Sequence, residues 1–487
     1  MTEVEAVGAF GALLLASVGV GEGLRRIGWR SESTRRVVHM LVGLSTAAAP
    51  FWFDRPRGIA LLAVVFVAGN AVANGRGWLP GVHRISRRSW GTVVFPLALL
   101  AALVLCWGPL GTHVWAMQVA FAVLALADPA ASWVGTRMRQ PGRYRVGEAE
   151  KSVAGSLAFA VIAFGIVSSW LLTVGLGAPA SVVLAAASVA MLATLAEALG
   201  RSGWDNLWIV LAALVALVWW EGGPDATVGW GALAAASGFA WATWRVGALD
   251  LSGTLAGALL AWALVALGGM AWAAPALSFF VLSSAWSRVG RSRKARAAAA
   301  TQKGSRRDVA QVMANGGAGL AALAMTVFVP SEVWYWVFVA SFAAAAADTW
   351  GTEIGTWAGG QTRRLGIGSR VAPGTSGGMS PAGTLGVVAG AASVVLPAVW
   401  LSPAVGIGSG AVLVGVGVGA AVLDSLLGAT LQARYRLSDG SLTERSEVDG
   451  AALPLAVGVR WLDNDGVNAV CTVSAALGGW VAWGWLG

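Results

Sequence analysis

Apolar runs of roughly 16–22 residues recur from one end of this 487-residue chain to the other. No soluble globule can cover that much apolar surface when 57% of its residues are hydrophobic and only 12% are charged. The pattern predicts an all-α polytopic membrane protein, because helices satisfy their own backbone hydrogen bonds inside lipid. The runs read as about sixteen spans. Those that matter most for the argument lie near 113–132, 152–173, 179–199 and 206–220, and then near 333–350, 380–400, 405–430 and 462–486.

Charge placement supports the count. Arg25, Arg26, Arg30, Arg35 and Arg36 follow the first span, and His83, Arg84, Arg87 and Arg88 follow the third. Further basic clusters run from Arg137 to Lys151 after the fifth, from Arg288 to Arg307 after the eleventh, and from Arg363 to Arg370 after the thirteenth. Every large basic loop follows an odd-numbered span, while most of the opposite loops are short and nearly uncharged. The positive-inside rule then puts both termini outside and the basic loops in the cytoplasm. It also accounts for the +9 net charge without nucleic acid. The acidic start, MTEVEAVG, reads as the beginning of a span rather than a removable leader. Cys106 and Cys471 both sit in apolar segments, which supports neither a disulfide framework nor a thiolate metal site.

Ionisable residues within spans are costly and usually functional, and here they recur in the same order twice. Asp128 ends the fifth span, Lys151-Ser152 leads into the sixth with Gly155 and Ser156, Glu197 ends the seventh and Asp205-Asn206 opens the eighth. Eight spans later Asp348 and Glu353 end the thirteenth, a Gly/Ser/Thr-rich turn with Thr375, Ser376 and Ser380 leads into the fourteenth, Asp424 lies late in the fifteenth and Asp463-Asn464-Asp465 opens the sixteenth. This predicts two parallel, distantly related eight-helix halves, residues 1–225 and 226–487, rather than an inverted repeat.

Carboxylates, basic residues and a glycine-rich turn at one membrane face suit phosphoryl transfer. Mg²⁺ takes one or two carboxylates plus phosphate oxygens, and cations with backbone N–H groups stabilise charge on the group in flight. The metal candidates are Asp128, Asp348, Glu353, Asp463 and Asp465. There is no G-x-x-x-x-G-K-[ST], so the site is not a P-loop. An alcohol acceptor benefits from a base, and Asp128, Glu197 and His39 are all candidates. A phosphate acceptor is already ionised and needs cations instead.

Several stretches also resemble known families. RRVVHMLVGL (35–44), SWGTVVFPLALL (89–100), DPAASWVG (128–135), KSVAGSLA (151–158) and EALGRSGWDNL (197–207) resemble the phytol kinase/dolichol kinase family of CTP-dependent polyprenol kinases. Asp128, Ala131, Gly135, Lys151, Ser152 and Gly155 match that family's pattern, whereas Glu150 and Ala154 depart from it. DLSGTLAGALL, QVMANGGAGLAAL, AAAADTWGTEIG, VAPGTSGGMSPAGTLG, LDSLLGATLQ and WLDNDGVNAV, spread over 250–487, are similar to the phytyl-phosphate kinases of plastids and their prokaryotic relatives.

The resemblances imply a fusion of two consecutive kinases in the cytoplasmic membrane. The first would convert a membrane-dissolved prenol (phytol, geranylgeraniol or farnesol type) to its monophosphate, and the second would make the diphosphate, with CTP as donor and Mg²⁺ as cofactor. On this reading Asp128, Lys151, Glu197, His39, Asp348 and Asp424 are catalytic. Ser152, Gly155, Ser156, Asp205, Asn206, Asn315, Arg370, Thr375, Ser376 and Ser380 bind nucleotide. The alternatives are a membrane CTP-dependent cytidylyltransferase and a duplicated transporter.

Overall fold

The computed structural model of the protein describes residues 2–76, 90–147, 149–175, 177–290, 306–365, 368–448 and 451–487. His83, Arg84, Arg87, Arg88, Ser89 and most of the basic stretch between Arg288 and Arg307 lie outside the described residues. The chain is an integral, multi-pass helical protein. Its helices are α1 (Glu3–Arg26), α2 (Ser31–Ala48), α3 (Pro56–Arg76), α4 (Gly91–Cys106), α5 (Val114–Arg137), α6 (Val153–Val174), α7 (Pro179–Leu199) and α8 (Asp205–Glu221). They continue as α9 (Ala226–Val246), α10 (Leu251–Ala263), α11 (Gly269–Trp286), α12 (Val309–Phe328), α13 (Val333–Ala358), α14 (Pro381–Leu401), α15 (Ile407–Thr430) and α16 (Asn464–Leu486).

Among the described residues, ten helical stretches are long and apolar enough to cross a membrane, fewer than the sixteen crossings expected. α10 and α11 run as one 36-residue stretch through a π turn at Leu264–Gly268, and α4 is only 16 residues long. α13 falls short for a different reason. Its Trp and Tyr residues and Asp348 lower its hydropathy, yet Val333–Ala347 is buried almost throughout. A helix enclosed by other helices need not be lipophilic on every face.

Short strands, too brief to carry an alternating pattern, connect the key helices at their polar ends. β1 (Arg143–Val146) and β2 (Ala149–Ser152) form a hairpin between α5 and α6. β3 (Thr362–Arg364) pairs with both β4 (Arg370–Val371) and β5 (Gly378–Met379) between α13 and α14. β6 (Arg434–Arg436) pairs with β7 (Leu442–Thr443) and with residues 455–457 after α15.

The chain divides into two compact units, residues 1–233 with 327–329, and residues 234–326 with 330–487. In the second unit α13 is the central helix, and small residues let its neighbours reach its backbone. A Cβ on Gly386 would lie 2.7 Å from the Trp350 carbonyl oxygen, one on Gly390 would collide with the Ala346 carbonyl, and one on Gly479 would lie 2.8 Å from the Trp336 carbonyl. The approach of Gly390 falls within the alanine run Ala343–Ala347, whose small side chains leave room for it.

Gly390→Leu therefore forces α14 away from α13 and should cost about 1–3 kcal/mol, read as a lower unfolding midpoint in detergent. Gly415→Leu, where a Cβ meets nothing within 4 Å, should leave the midpoint unchanged.

Candidate functional site

The first unit builds its site on the last turns of α5. Pro129 follows Asp128 inside the helix and cannot donate to the carbonyl four residues back, so one backbone bond is missing beside the carboxylate. One turn on, Ala131 and Gly135 meet the start of α6. A Cβ on Gly155 would lie 2.8 Å from the Ala131 carbonyl, and one on Gly135 would collide with Ser152 Oγ. Ser152 is the N-cap of α6, its Oγ accepting from Gly155 N–H at 3.1 Å. The N–H of Gly155 is thus committed to the cap, while Ser152, expected with Gly155 to bind nucleotide, accepts that bond and keeps its own O–H to donate. Ser156 shares a 2.7 Å hydrogen bond with Tyr144 of β1.

Around this helix start the ionisable groups converge. Lys151 Nζ donates to Glu197 Oε1 at 2.5 Å and to the Glu197 carbonyl at 2.8 Å. Asp128 feels the charges of Asp205, Lys151, Arg35 and Arg36. His39 Nε2 lies 3.3 Å from the Leu124 carbonyl, to which it can only donate. Its 3.7 Å separation from Asp128 Oδ2 is too long for a hydrogen bond. Arg36 ties α2 to α5 through Ser132 Oγ at 3.0 Å and Thr136 Oγ1 at 3.1 Å. Asp205 Oδ1 accepts from the Asn206 N–H, and the Asn206 side chain donates to the Gly91 carbonyl, which fixes α8 to the start of α4.

The second unit repeats the core of this arrangement residue for residue. Asp348, Gly351 and Gly355 on α13 stand where Asp128, Ala131 and Gly135 stand on α5, and Ser380 and Gly383 stand where Ser152 and Gly155 stand. Ser380 Oγ accepts from Gly383 N–H at 3.1 Å, and a Cβ on Gly383 would lie 3.0 Å from the Gly351 carbonyl.

Here the carboxylate helix opens into a polar cleft of about 740 Å³. Asp348 and Asp424 bring their carboxyl groups within hydrogen-bonding reach of each other. Asp424 Oδ2 is buried and finds no donor among the described residues. Two close carboxylates with an orphaned oxygen fit a hard divalent cation completed by phosphate oxygens.

The other expected metal ligands do not join them, since no group of three or more His, Cys, Asp or Glu side chains gathers among the described residues. Glu353 lines the same cleft, but five residues along an α-helix turns it about 140° away from Asp348, and it accepts from Ser287 Oγ at 2.6 Å. Asp463 is the N-cap of α16, its Oδ1 accepting from Gly466 N–H at 2.9 Å. Asp465 lies in the first turn of that helix, and neither it nor Asp463 is among the residues lining the cleft.

The nucleotide-binding candidates divide similarly. Thr375, Ser376 and Ser380 line the cleft on a turn whose Gly374 and Gly377 have φ of +83° and +75°. At Gly377 a Cβ would lie 2.5 Å from Ala429 N, so the turn sits directly on the end of α15. Arg370 is exposed on β4 opposite Arg363 and is not part of the cleft wall. Charge alone does not say which way a hairpin residue faces.

The cleft's cations are instead Arg288, Arg307 and Arg445. Its amides are Asn315 and Asn464, both noted in the sequence, together with Gln311, Gln432 and Asn468, to which the sequence assigns no role. Gln311/Asn315 and Asn464/Asn468 are polar pairs four residues apart on otherwise apolar helices, a pattern that could have flagged them. Glu444, also unanticipated, accepts from Ser376 Oγ, and burial pushes its pKa above the ordinary value.

Residues 234–476 match the family model described as Integral membrane protein DUF92. This DUF92-matching segment begins at the first residue of the second unit and contains every residue of the polar cleft. The chain is also similar to Protein PGR of Arabidopsis thaliana, at 29% identity over 258 residues, covering 47% of this chain and 88% of that protein. No solved structure matches.

Two outcomes follow for the DUF92-matching segment. Ser380→Ala removes the cap of α14 and should cost about 1 kcal/mol, while Ser380→Asp should retain most of it. Because burial raises the Glu444 pKa in the folded state, its favourable neutral form is lost as pH rises through that pKa. Glu444→Gln should therefore flatten the fall in melting temperature that the wild type shows on going from pH 4 to pH 7.

Proposed function

We propose that the protein is a membrane phosphotransferase with two sites, one acting on an isoprenoid alcohol and the other on its monophosphate. The observation that carries this reading is the repeated contact between an aspartate-bearing helix and the serine-capped start of the next helix. That contact places a carboxylate, and any cation it holds, beside a helix N-terminus, which favours phosphate. The basic loops, taken with the positive-inside rule, support a reading in which both sites face the cytoplasm and the termini lie outside. A nucleotide then arrives from the aqueous phase and the acceptor from the lipid.

The two sites differ as the two acceptors require. In the first unit Glu197 is neutralised by Lys151 and His39 Nε2 is held by a carbonyl. Asp128 is therefore the group left to receive the alcohol proton. The alcohol oxygen bonds to the γ-phosphorus of the nucleoside triphosphate as the bond to the bridging oxygen breaks, and the nucleoside diphosphate leaves. In the second unit a phosphate oxygen makes the same attack with no proton to remove, and the difficulty is repulsion between anions. Arg307, Arg445 and the amides of Asn315 and Asn464 meet that demand. Mg²⁺ bound by Asp348 and Asp424 would add positive charge against the transferring phosphoryl group. The donor proposed is CTP, on the resemblance of the first half to CTP-dependent kinases.

Purified protein with geranylgeraniol, Mg²⁺ and CTP should give mono- and then diphosphate, followed by mass spectrometry. Asp348→Asn should stall at monophosphate with the second step slowed about 100-fold or more. Asp128→Asn should lose the first step by a similar factor and still convert supplied monophosphate. A CDP-linked lipid would instead identify a cytidylyltransferase, and absence of any nucleotide turnover would remove the kinase reading.

A further inference from the structure

The second unit contains another cavity, of about 390 Å³, whose wall is almost wholly apolar. Phe239, Leu260, Leu264, Leu277, Phe280 and Phe342 supply most of it. Three polar residues complete the lining, Arg307, Gln311 and Asn315, and these same three also line the polar cleft that holds Asp348 and Asp424. The two cavities thus meet at one guanidinium and two amides. Arg307 lies 5.8 Å over the Phe279 ring, in contact with the apolar side. Gln311 Oε1 is buried and accepts no hydrogen bond among the described residues, so it offers an acceptor to a ligand that donates, while the amide Nε2 is the group that can donate to a phosphate. On the outer side the exposed Gly238 of α9 lines the cavity, and a Cβ there would meet nothing within 4 Å.

We propose that the apolar cavity is the tail site of the acceptor. The polyprenyl chain lies among the phenylalanines and leucines, and its phosphate is held at Arg307, Gln311 and Asn315, facing the Asp348–Asp424 pair. The chemistry at each end argues for one amphiphile rather than two ligands. A cavity with so little polar lining gains nothing from a nucleotide, and an apolar chain gains nothing from the cleft.

Volume then limits the substrate. Taking the liquid-volume share of one water, about 30 Å³, as the size of one methylene-like group, the cavity of about 390 Å³ takes about thirteen such groups, close to three isoprene units. Chains of 15–20 carbons fill it with at most a short end passing Gly238, whereas dolichol-length chains would lie mostly outside. This inference rests on the phosphoryl-transfer reading for the identity of the headgroup.

The test uses the full-length protein with isopentenyl, farnesyl and geranylgeranyl monophosphates, and a geranylgeranyl monophosphate carrying a terminal diazirine. Wild type should prefer the 15- and 20-carbon acceptors over the 5-carbon one by about 100-fold or more in kcat/KM, since every further methylene buried in the cavity favours binding. The photolabel should map to peptides of α9–α12. Gly238→Trp should compress the preference to below about tenfold and cut labelling. Gly415→Trp, on a surface lining neither cavity, should change neither. Labelling elsewhere, or an unchanged chain-length profile in Gly238→Trp, overturns the tail site even if phosphoryl transfer occurs. Labelling in the cavity that Gly238→Trp abolishes, without any turnover, upholds the tail site and removes the kinase reading alone.

Discussion

Everything at the two sites depends on how closely one helix backbone can approach another. In the first unit Gly135 and Gly155 leave no room for a side chain between the aspartate helix and the helix that follows, and in the second Gly355 and Gly383 leave a Cβ only 3.0–3.2 Å from its nearest neighbour. A Cβ in the first unit would push the carboxylate away from the capped helix start, and one in the second would make its neighbours give by a few tenths of an ångström. The contact needs no charge to form; van der Waals packing and small residues suffice inside a membrane. The capping serines, Ser152 and Ser380, then fix where the second helix begins. Position follows from packing, and the charged groups take advantage of it.

On this shared frame the two units diverge chemically. The first has an ion pair, Lys151–Glu197, and a histidine held by a carbonyl, leaving Asp128 in a field of both signs. The second has no lysine at the corresponding position, where Met379 precedes Ser380. It instead faces two carboxyl groups with arginines and amides across a larger cleft. A duplicated scaffold with different cations and different carboxylate partners is what two successive steps with different acceptors would require.

Much of this was legible in the sequence because carboxylates interrupting apolar helices are conspicuous. Asp128, Glu197, Asp348 and Asp424 stood out for that reason, and the eight-helix offset followed from their order. Asp463 caps α16 outside the cleft lining, since Asp-x-x-Gly is a capping signature as much as a ligand pattern. Asp250 with Gly253 shows the same geometry at the start of α10. The hairpins were invisible, since strands of two to four residues carry no alternation. With them went the facing of Arg370 and the contact of Ser376 with Glu444. Arg307 was read only as a topological charge, because nothing in a basic loop says which arginine folds back over the membrane-facing helices.

Sequential transfer of two phosphoryl groups to one lipid fixes the nucleotide stoichiometry in a single reaction of the unmodified protein with geranylgeraniol and γ-labelled CTP. Two CDP should be released per lipid diphosphate, with label in both phosphates and monophosphate appearing first. One nucleotide consumed per lipid product, or pyrophosphate released in place of CDP, would contradict sequential transfer.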